Sequence, residues 1–258
     1  MKRHHGTLGM IRLLGVVATL AAASWVGLGQ DATSDAALLS ALDDARFFTD
    51  EVNEIEVSIV SETPDEVREA SILLRFAEFE SGTFSRIEFL APDELAGQTY
   101  LNTPDAAYFF GPDLDFPIKT SASAEVFGDA AVAQTSGIRF LESYSIAARR
   151  GPGESESGLL EIDLAANDFS VAFQAITVQA DPDTLRPVSM RLFALSGLPF
   201  YDVFFEAYEV REGTDDVYVR TQRIVNLLLV GRRTTSEIVR LGVETFPDNL
   251  FDPEALAR

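Results

Sequence analysis

Between residues 53 and 246 the chain keeps returning to one pattern, apolar side chains alternating with polar ones. "NEIEVSIV" places Ile55, Val57 and Ile59 on one side, and "SILLRF" does the same with Ile72, Leu74 and Phe76. "SRIEFL" adds Ile87 and Phe89, and "IRFLESYSI" adds Ile138, Phe140, Tyr144 and Ile146. Successive side chains of a strand point to opposite faces, so each run reads as a strand with one face to bury. Further runs follow in "GLLEIDL", "AFQAITVQA", "PVSMRLFAL", "YDVFFEAYEV", "DVYVRTQRIVNLLLV" and "TSEIVRLGVETF". The segments between them read as hairpin connections: "RRGPGESESG" (149–158) as a long one, "REGTDD" (211–216) and "GRR" (231–233) as short ones, and Asp181-Pro182-Asp183-Thr184 as a turn. The reading is an antiparallel meander in a single domain.

A meander this long must cover its apolar face with a second sheet, by closing into a barrel, or with helices. Helical material is scarce. "SDAALLSALDDARFFTD" (34–50) spaces Leu38, Leu39, Leu42, Ala45 and Phe48 as an amphipathic helix with Ser34 as its cap, and "PDELAG" (92–97) is a second short candidate. Within "FGDAAVAQTSGIRF" (127–140) the alternation gives way to small residues. The expected fold is therefore mainly β (α+β): one strongly curved antiparallel sheet with a few short helices over its concave face. The soft segment is expected to cross the open side as a lid, with Gly128, Ala130, Ala131 and Ala133 as its candidate residues. The plainer alternative is a tight connection with no moving part.

Charge and missing residue types narrow the function. "MKRHH", the apolar "LLGVVATLAAASWVGLG" (13–29) and the small residues Gly27 and Gly29 read as a secretory signal peptide over 1–29, followed by a domain over 30–258. Retention of this segment as an uncleaved anchor is the alternative. All 41 acidic residues lie beyond residue 30 and three of the 20 basic ones before it, so the remainder carries a net charge near −24. Such a surface repels nucleic acid and anionic headgroups. Both histidines, His4 and His5, lie in the signal segment, and the chain has no cysteine. Serine–histidine triads, cysteine nucleophiles and the usual zinc sites are thereby excluded. No carboxylate pair stands out for acid–base chemistry, and "DPDTLRPVS" lacks the ligand spacing of an EF-hand loop. No enzymatic activity, cofactor or metal is expected.

Four stretches carry a family resemblance. "RIEFLAPDELAGQTYLN" (86–102) resembles the strand–Pro–loop–Gly–strand pattern of the outer-membrane lipoprotein-sorting, or LolA-like, family. "FGDAAVAQTSGIRFLESYSI" (127–146) is similar to the Gly-Asp segment and following strand of its broader members. "DPDTLRPVSMRLFALSGLPFYDVFFEAYE" (181–209) and "GRRTTSEIVRLGVETFPDNLFDPEAL" (231–256) resemble its C-terminal half in order and spacing. The chain departs from the pattern at "AAYFFGPD" (106–113), where an aromatic pair is often found, and in the short stretch from there to Gly128. The resemblance implies a half-open barrel lidded by helices, an apolar cavity, and carriage of lipid-modified cargo through the periplasm. It also implies a lid-closing arginine, for which Arg75 and Arg86 are candidates.

The expected function is an exported periplasmic carrier, acting as a monomer, that holds acyl chains of a lipid or lipid-modified protein. The alternative is an envelope binding or stress-sensing module that contacts a protein partner through the same fold. The expected cavity residues are Ile72, Leu74, Phe76, Ile87, Phe89, Phe140 and Tyr144, read as sharing the concave side of neighbouring strands.

Overall fold

The structure is a computed structural model that describes residues 32–46, 52–131, 137–247 and 249–256. The predicted signal segment lies outside the described residues. Helix α1 (Ala32–Asp44) precedes six strands, β1 (Glu54–Glu62), β2 (Val67–Phe79), β3 (Gly82–Ala91), β4 (Thr99–Asn102), β5 (Ala107–Phe110) and β6 (Ile118–Thr120). A small ribbon, β7 (Glu125–Phe127) and β8 (Ala130–Ala131), leads to the short helix α2 (Phe140–Ser143). Seven strands follow: β9 (Tyr144–Arg150), β10 (Leu160–Ala166), β11 (Ala175–Ala180), β12 (Pro187–Phe193), β13 (Pro199–Val210), β14 (Val217–Asn226) and β15 (Arg233–Gly242). A 3-10 turn at Pro253–Ala255 comes last.

Thirteen strands form one antiparallel sheet in the order β6-β5-β4-β3-β2-β1-β15-β14-β13-β12-β11-β10-β9. The first strand therefore lies in the middle. The chain steps outward to the β6 edge, crosses over residues 121–143 to the opposite edge at β9, and steps back until β15 pairs with β1. The sheet stays open, since among the described residues β6 and β9 have no strand beyond them. The expected half-open barrel is what the chain forms, and the crossing it requires is made by the alanine-rich segment.

Apolar packing on the inner face falls into two clusters. One gathers β9–β14 beneath α1 and α2, with Leu42, Phe140, Ile162, Leu164, Phe173 and Leu192 almost fully buried. The other gathers β1–β3 with β7, through Ile59, Ile72, Ile87, Phe89 and Phe127. Each such side chain contributes about 1.5–3 kcal/mol by leaving water. A third, smaller group sets Phe251 and Leu256 of the C-terminal segment against Leu101 of β4. Arginine–carboxylate pairs link neighbouring strands elsewhere on the sheet: Arg75–Glu54 at 2.9 Å, Arg240–Glu54 at 2.8 Å, Arg191–Asp202 at 2.7 Å and Arg233–Glu62 at 2.5 Å. Such cross-strand pairs add little when exposed, and they place positive charge within a strongly acidic surface.

Three local expectations change. Helix α1 starts at Ala32, so Ser34 lies inside it instead of capping it, and the helix ends at Asp44. "PDELAG" is a series of hydrogen-bonded turns, with Leu95 N–H donating to Pro92 O at 3.0 Å. Residues 140–143 coil into α2 because Asp43 of α1 caps its first N–H groups, so β9 begins only at Tyr144.

Candidate functional site: an apolar cavity

The two inner clusters leave a cavity of about 1160 Å³ between them. Its wall is built by register. Ile55, Val57 and Ile59 of β1, Leu74 and Phe76 of β2, and Ile238 of β15 come from one side. Met190 of β12, Phe205 of β13, Ile224 of β14, Tyr144 and Phe173 come from the other. The mouth lies where β2 ends and β3 begins, at Glu78, Phe79, Gly82 and Thr83, with Glu142, Arg139 and Glu244 also on the rim. Burial pushes the Glu142 carboxyl above its ordinary value; Arg139 opposes the shift, and the carboxylates of Glu78 and Asp43 add to it. Burial likewise raises the Tyr144 hydroxyl, which donates to Phe173 O at 2.9 Å.

The crossing segment is pinned to the sheet at the end away from Glu78. Gly128 has φ +60°, and a Cβ there would come within 2.6 Å of both Ser61 and Thr234. Only glycine fits such a close approach in the left-handed region. Asp129 is fully buried beside it. Its N–H donates to Thr234 Oγ1 at 2.9 Å, and its Oδ1 accepts from Asn226 Nδ2 at 2.6 Å and faces Arg232 Nε at 3.5 Å. Phe127 meets Phe89 edge-on, with ring centroids 6.4 Å apart.

A second fastening joins α1 to the far end of the crossing. Asp43 accepts from the backbone N–H of Phe140 at 3.0 Å and of Leu141 at 2.9 Å. Arg46 Nη2 bonds Asp43 Oδ1 at 2.7 Å and Ile138 O at 2.5 Å, and its guanidinium lies 3.9 Å from the Phe140 ring centroid. Burial lowers the Arg46 pKa from its ordinary value, and the Asp43 carboxylate opposes that shift. In sequence these two residues look like the polar face of a surface helix. The i, i+3 spacing of opposite charges is the one signal present, and it is common on exposed helices.

The expected cavity residues separate. Leu74, Phe76 and Tyr144 line the cavity. Ile72, Ile87 and Phe89 share the face of Leu74, with Ile72 opposite Phe89 and Leu74 opposite Ile87, but pack inside the β1–β3 cluster. Phe140 lies in the other cluster, and β9 is the far edge of the sheet and no neighbour of β2 or β3. Of the lid candidates, Ala130 lines the cavity, Ala131 is fully buried, Gly128 holds the close approach, and Ala133 lies outside the described residues. Arg75 and Arg86 do not line the cavity. Arg75 pairs with Glu54 and Glu88, while Arg86 pairs with Glu88 and donates to Leu250 O at 2.9 Å. Among the described residues no group of three or more His, Cys, Asp or Glu side chains is arranged to hold a metal ion, and no helix is long and apolar enough to cross a membrane.

No curated protein sequence matches the chain. Solved structures do. A LolA superfamily protein from Nitrosomonas europaea superposes with a TM-score of 0.72 at 18% identity, over 84% of this chain and 96% of that one. An outer-membrane lipoprotein-sorting protein domain from Vibrio parahaemolyticus gives 0.72 at 15% identity, over 88% and 100%. A DUF1329 family protein from Desulfovibrio piger gives 0.69 at 16% identity, over 87% and 98%. The model of a family described as "Uncharacterized protein" matches residues 82–258. The chain belongs to that family, and its fold is the LolA-like half-open barrel.

Proposed function

We propose that the protein is an exported, non-enzymatic carrier that holds an acyl chain of a lipid or lipid-modified protein in the periplasm. The observation that supports this reading most is the cavity of about 1160 Å³ inside an unclosed barrel, with Ile, Leu, Val, Phe and Met side chains making up much of its wall. It exceeds the usual volume of a small-molecule site, and an acyl chain gains roughly 0.8 kcal/mol for each CH₂ it buries there. On this reading Leu74, Phe76 and Tyr144 touch the chain. Ile72, Ile87, Phe89 and Phe140 hold the walls in place, and the segment of Gly128, Ala130, Ala131 and Ala133 is the strap over one end. The signal-like segment over 1–29 delivers the domain to the periplasm. The test is to purify the exported chain, extract it with organic solvent and identify bound lipid by mass spectrometry. Stoichiometric acyl lipid, lost in Leu74→Asp, is the expected result. Lipid-free protein that also fails to bind an added acyl probe overturns the reading.

A second reading, an envelope module that binds a protein partner, draws on a different surface. The β12–β13 and β14–β15 turns lie side by side, joined by Leu227 N–H donating to Phe200 O at 3.0 Å. They expose Leu195, Leu198, Leu228 and Val230, the last at 92%. A stable lipid-free complex, lost when Val230 and Leu195 are changed to Ser, is what would favour it.

A further inference from the structure

One row of the cavity wall sets two uncharged polar side chains between apolar ones. Reading across four strands, Phe205 of β13 lies opposite Gln222 of β14, Gln222 opposite Ser236 of β15, and Ser236 opposite Ile59 of β1. All four line the cavity. Gln222 and Ser236 are half-buried, and neither side chain makes a hydrogen bond to any described residue. Directly opposed residues on neighbouring antiparallel strands hold their Cβ atoms about 5 Å apart, so the amide and the hydroxyl sit side by side. Between a phenylalanine and an isoleucine, an apolar pair would pack better on this strip, because polar groups taken from water without a partner cost free energy.

We infer that Gln222 and Ser236 form a subsite for the carbonyl that links an acyl chain to its head, an ester or an amide. This rests on the acyl-carrier reading above and names the linkage that the cavity recognises. The glutamine Nε2 and serine Oγ each supply an uncharged donor, which suits a neutral carbonyl oxygen. Ile59 and Phe205 on either side receive methylene groups on both flanks of the linkage. No charged side chain belongs to this row, and Arg220, two residues from Gln222 on β14 and also on the cavity wall, is paired with Glu209 and Glu237.

The experiment compares three neutral probes with one chain length: glycerol monododecanoate, 1-O-dodecylglycerol, which has an ether in place of the ester, and N-dodecanoylglycinamide. Each is titrated by calorimetry, below its micelle concentration, into the full exported chain and into the Gln222→Leu/Ser236→Val variant. The expected result is that the wild type binds the ester or the amide about three- to tenfold more tightly than the ether, the worth of one or two neutral hydrogen bonds. The variant should lose that preference while binding the ether at least as well and melting no lower than the wild type. Stronger preference for the amide identifies an N-acylated protein as the source of the carbonyl, and stronger preference for the ester a glycerolipid. A ratio of carbonyl to ether affinity that is unchanged in the variant overturns the inference and leaves the carrier reading standing. Failure of all three probes to bind the wild type overturns the carrier reading and the inference with it.

Discussion

Replacing Asp43 by Asn tests the fastening between α1 and the crossing segment. The Asp43 side chain is 6% exposed and that of Arg46 5%, and the carboxylate serves three donors at once: Arg46 Nη2, Phe140 N–H and Leu141 N–H. The amide would keep the shape of the carboxylate, yet it removes the negative charge beside a buried guanidinium and turns one acceptor into a donor facing donors. Breaking a buried pair from one side costs about 3–5 kcal/mol, against about 5–15 kcal/mol of total stability for an ordinary domain. For a domain of this size each kcal/mol moves the melting temperature by about 2–4 °C, so Asp43→Asn should melt about 10 °C lower. Urea unfolding gives the free energy directly. Removing both partners with Asp43→Leu/Arg46→Met separates charge from capping. The double variant still loses the two caps on α2, at about 1 kcal/mol each, but leaves no charge stranded. It should therefore cost at least about 2 kcal/mol less than the sum of Asp43→Leu and Arg46→Met measured singly. A loss below about 1 kcal/mol for Asp43→Asn, or strict additivity in the cycle, would refute the reasoning.

Other outcomes follow from the same geometry. Gly128→Ala combines a left-handed residue with a Cβ driven to within 2.6 Å of Ser61 and Thr234, and should cost about 3 kcal/mol in urea unfolding; a midpoint equal to that of the wild type contradicts the close approach. Phe89→Asp places a carboxylate in a closed cluster and should cost several kcal/mol, whereas Phe76→Asp, on the cavity wall, should stay folded and lose a fluorescent neutral acyl probe; equal melting of the two variants would count against the division drawn between them. Burial raises the hydroxyls of Tyr144, Tyr201 and Tyr208 above the ordinary value near 10, so the stability they contribute is complete below about pH 10 and is lost as pH rises beyond it; a urea midpoint that stays flat from pH 8 to pH 11 would exclude this. Dodecanoate should bind more weakly than its glycerol ester because Glu78, Glu142 and Glu244 rim the mouth, and Glu78→Gln/Glu142→Gln should narrow the gap at low salt; an unchanged gap would remove the rim from the account.

The strands were legible because each has one buried face. In β1 the buried Ile55, Val57 and Ile59 alternate with half-buried residues just as "NEIEVSIV" alternates, and β3, β10, β11 and the first half of β13 follow the same logic. The short strands β5–β8 were not legible, and β4 was implied only by the resemblance of residues 86–102. Three- or four-residue elements such as Ile118–Thr120 carry too few turns of the period to register, and they form only because a longer neighbour offers its edge. Residues 138–146 misled for a tertiary reason. Their alternation is genuine, but Asp43, 97 residues before Phe140, caps a helical turn there. Of the cavity, the apolar face of β2 was visible in sequence, while the pairing of β1 with β15 that encloses it was not. That pairing joins Glu54 to Gly242, and no local pattern specifies which strands meet at such a distance.

The same pairing explains why a void persists in a protein whose two clusters are otherwise well packed. Thirteen strands give a wider inner face than α1, α2 and one crossing segment can cover. The middle of that face belongs to β1, β15 and β14, where the inward positions at one end are Ser61, Thr234 and Asn226. These small or polar side chains would pack poorly against an apolar helix. They suit a close-lying backbone, and Gly128 and Asp129 supply it, satisfying Thr234 and Asn226 by hydrogen bonds. Along the same strands toward the mouth the inward row becomes Gln222 and Ser236, and then Ile238 opposite Val57. Empty apolar voids stay dry, but a cavity holding an amide and a hydroxyl gives water or a ligand something to bond. The cavity is thus set by where the crossing is fastened. Moving the Gly128–Asp129 anchor, as in Asp129→Ala, should loosen the strap and change acyl-probe affinity without any change to a residue that lines the rest of the wall. Unchanged affinity in a folded Asp129→Ala protein would show that the wall alone defines the site.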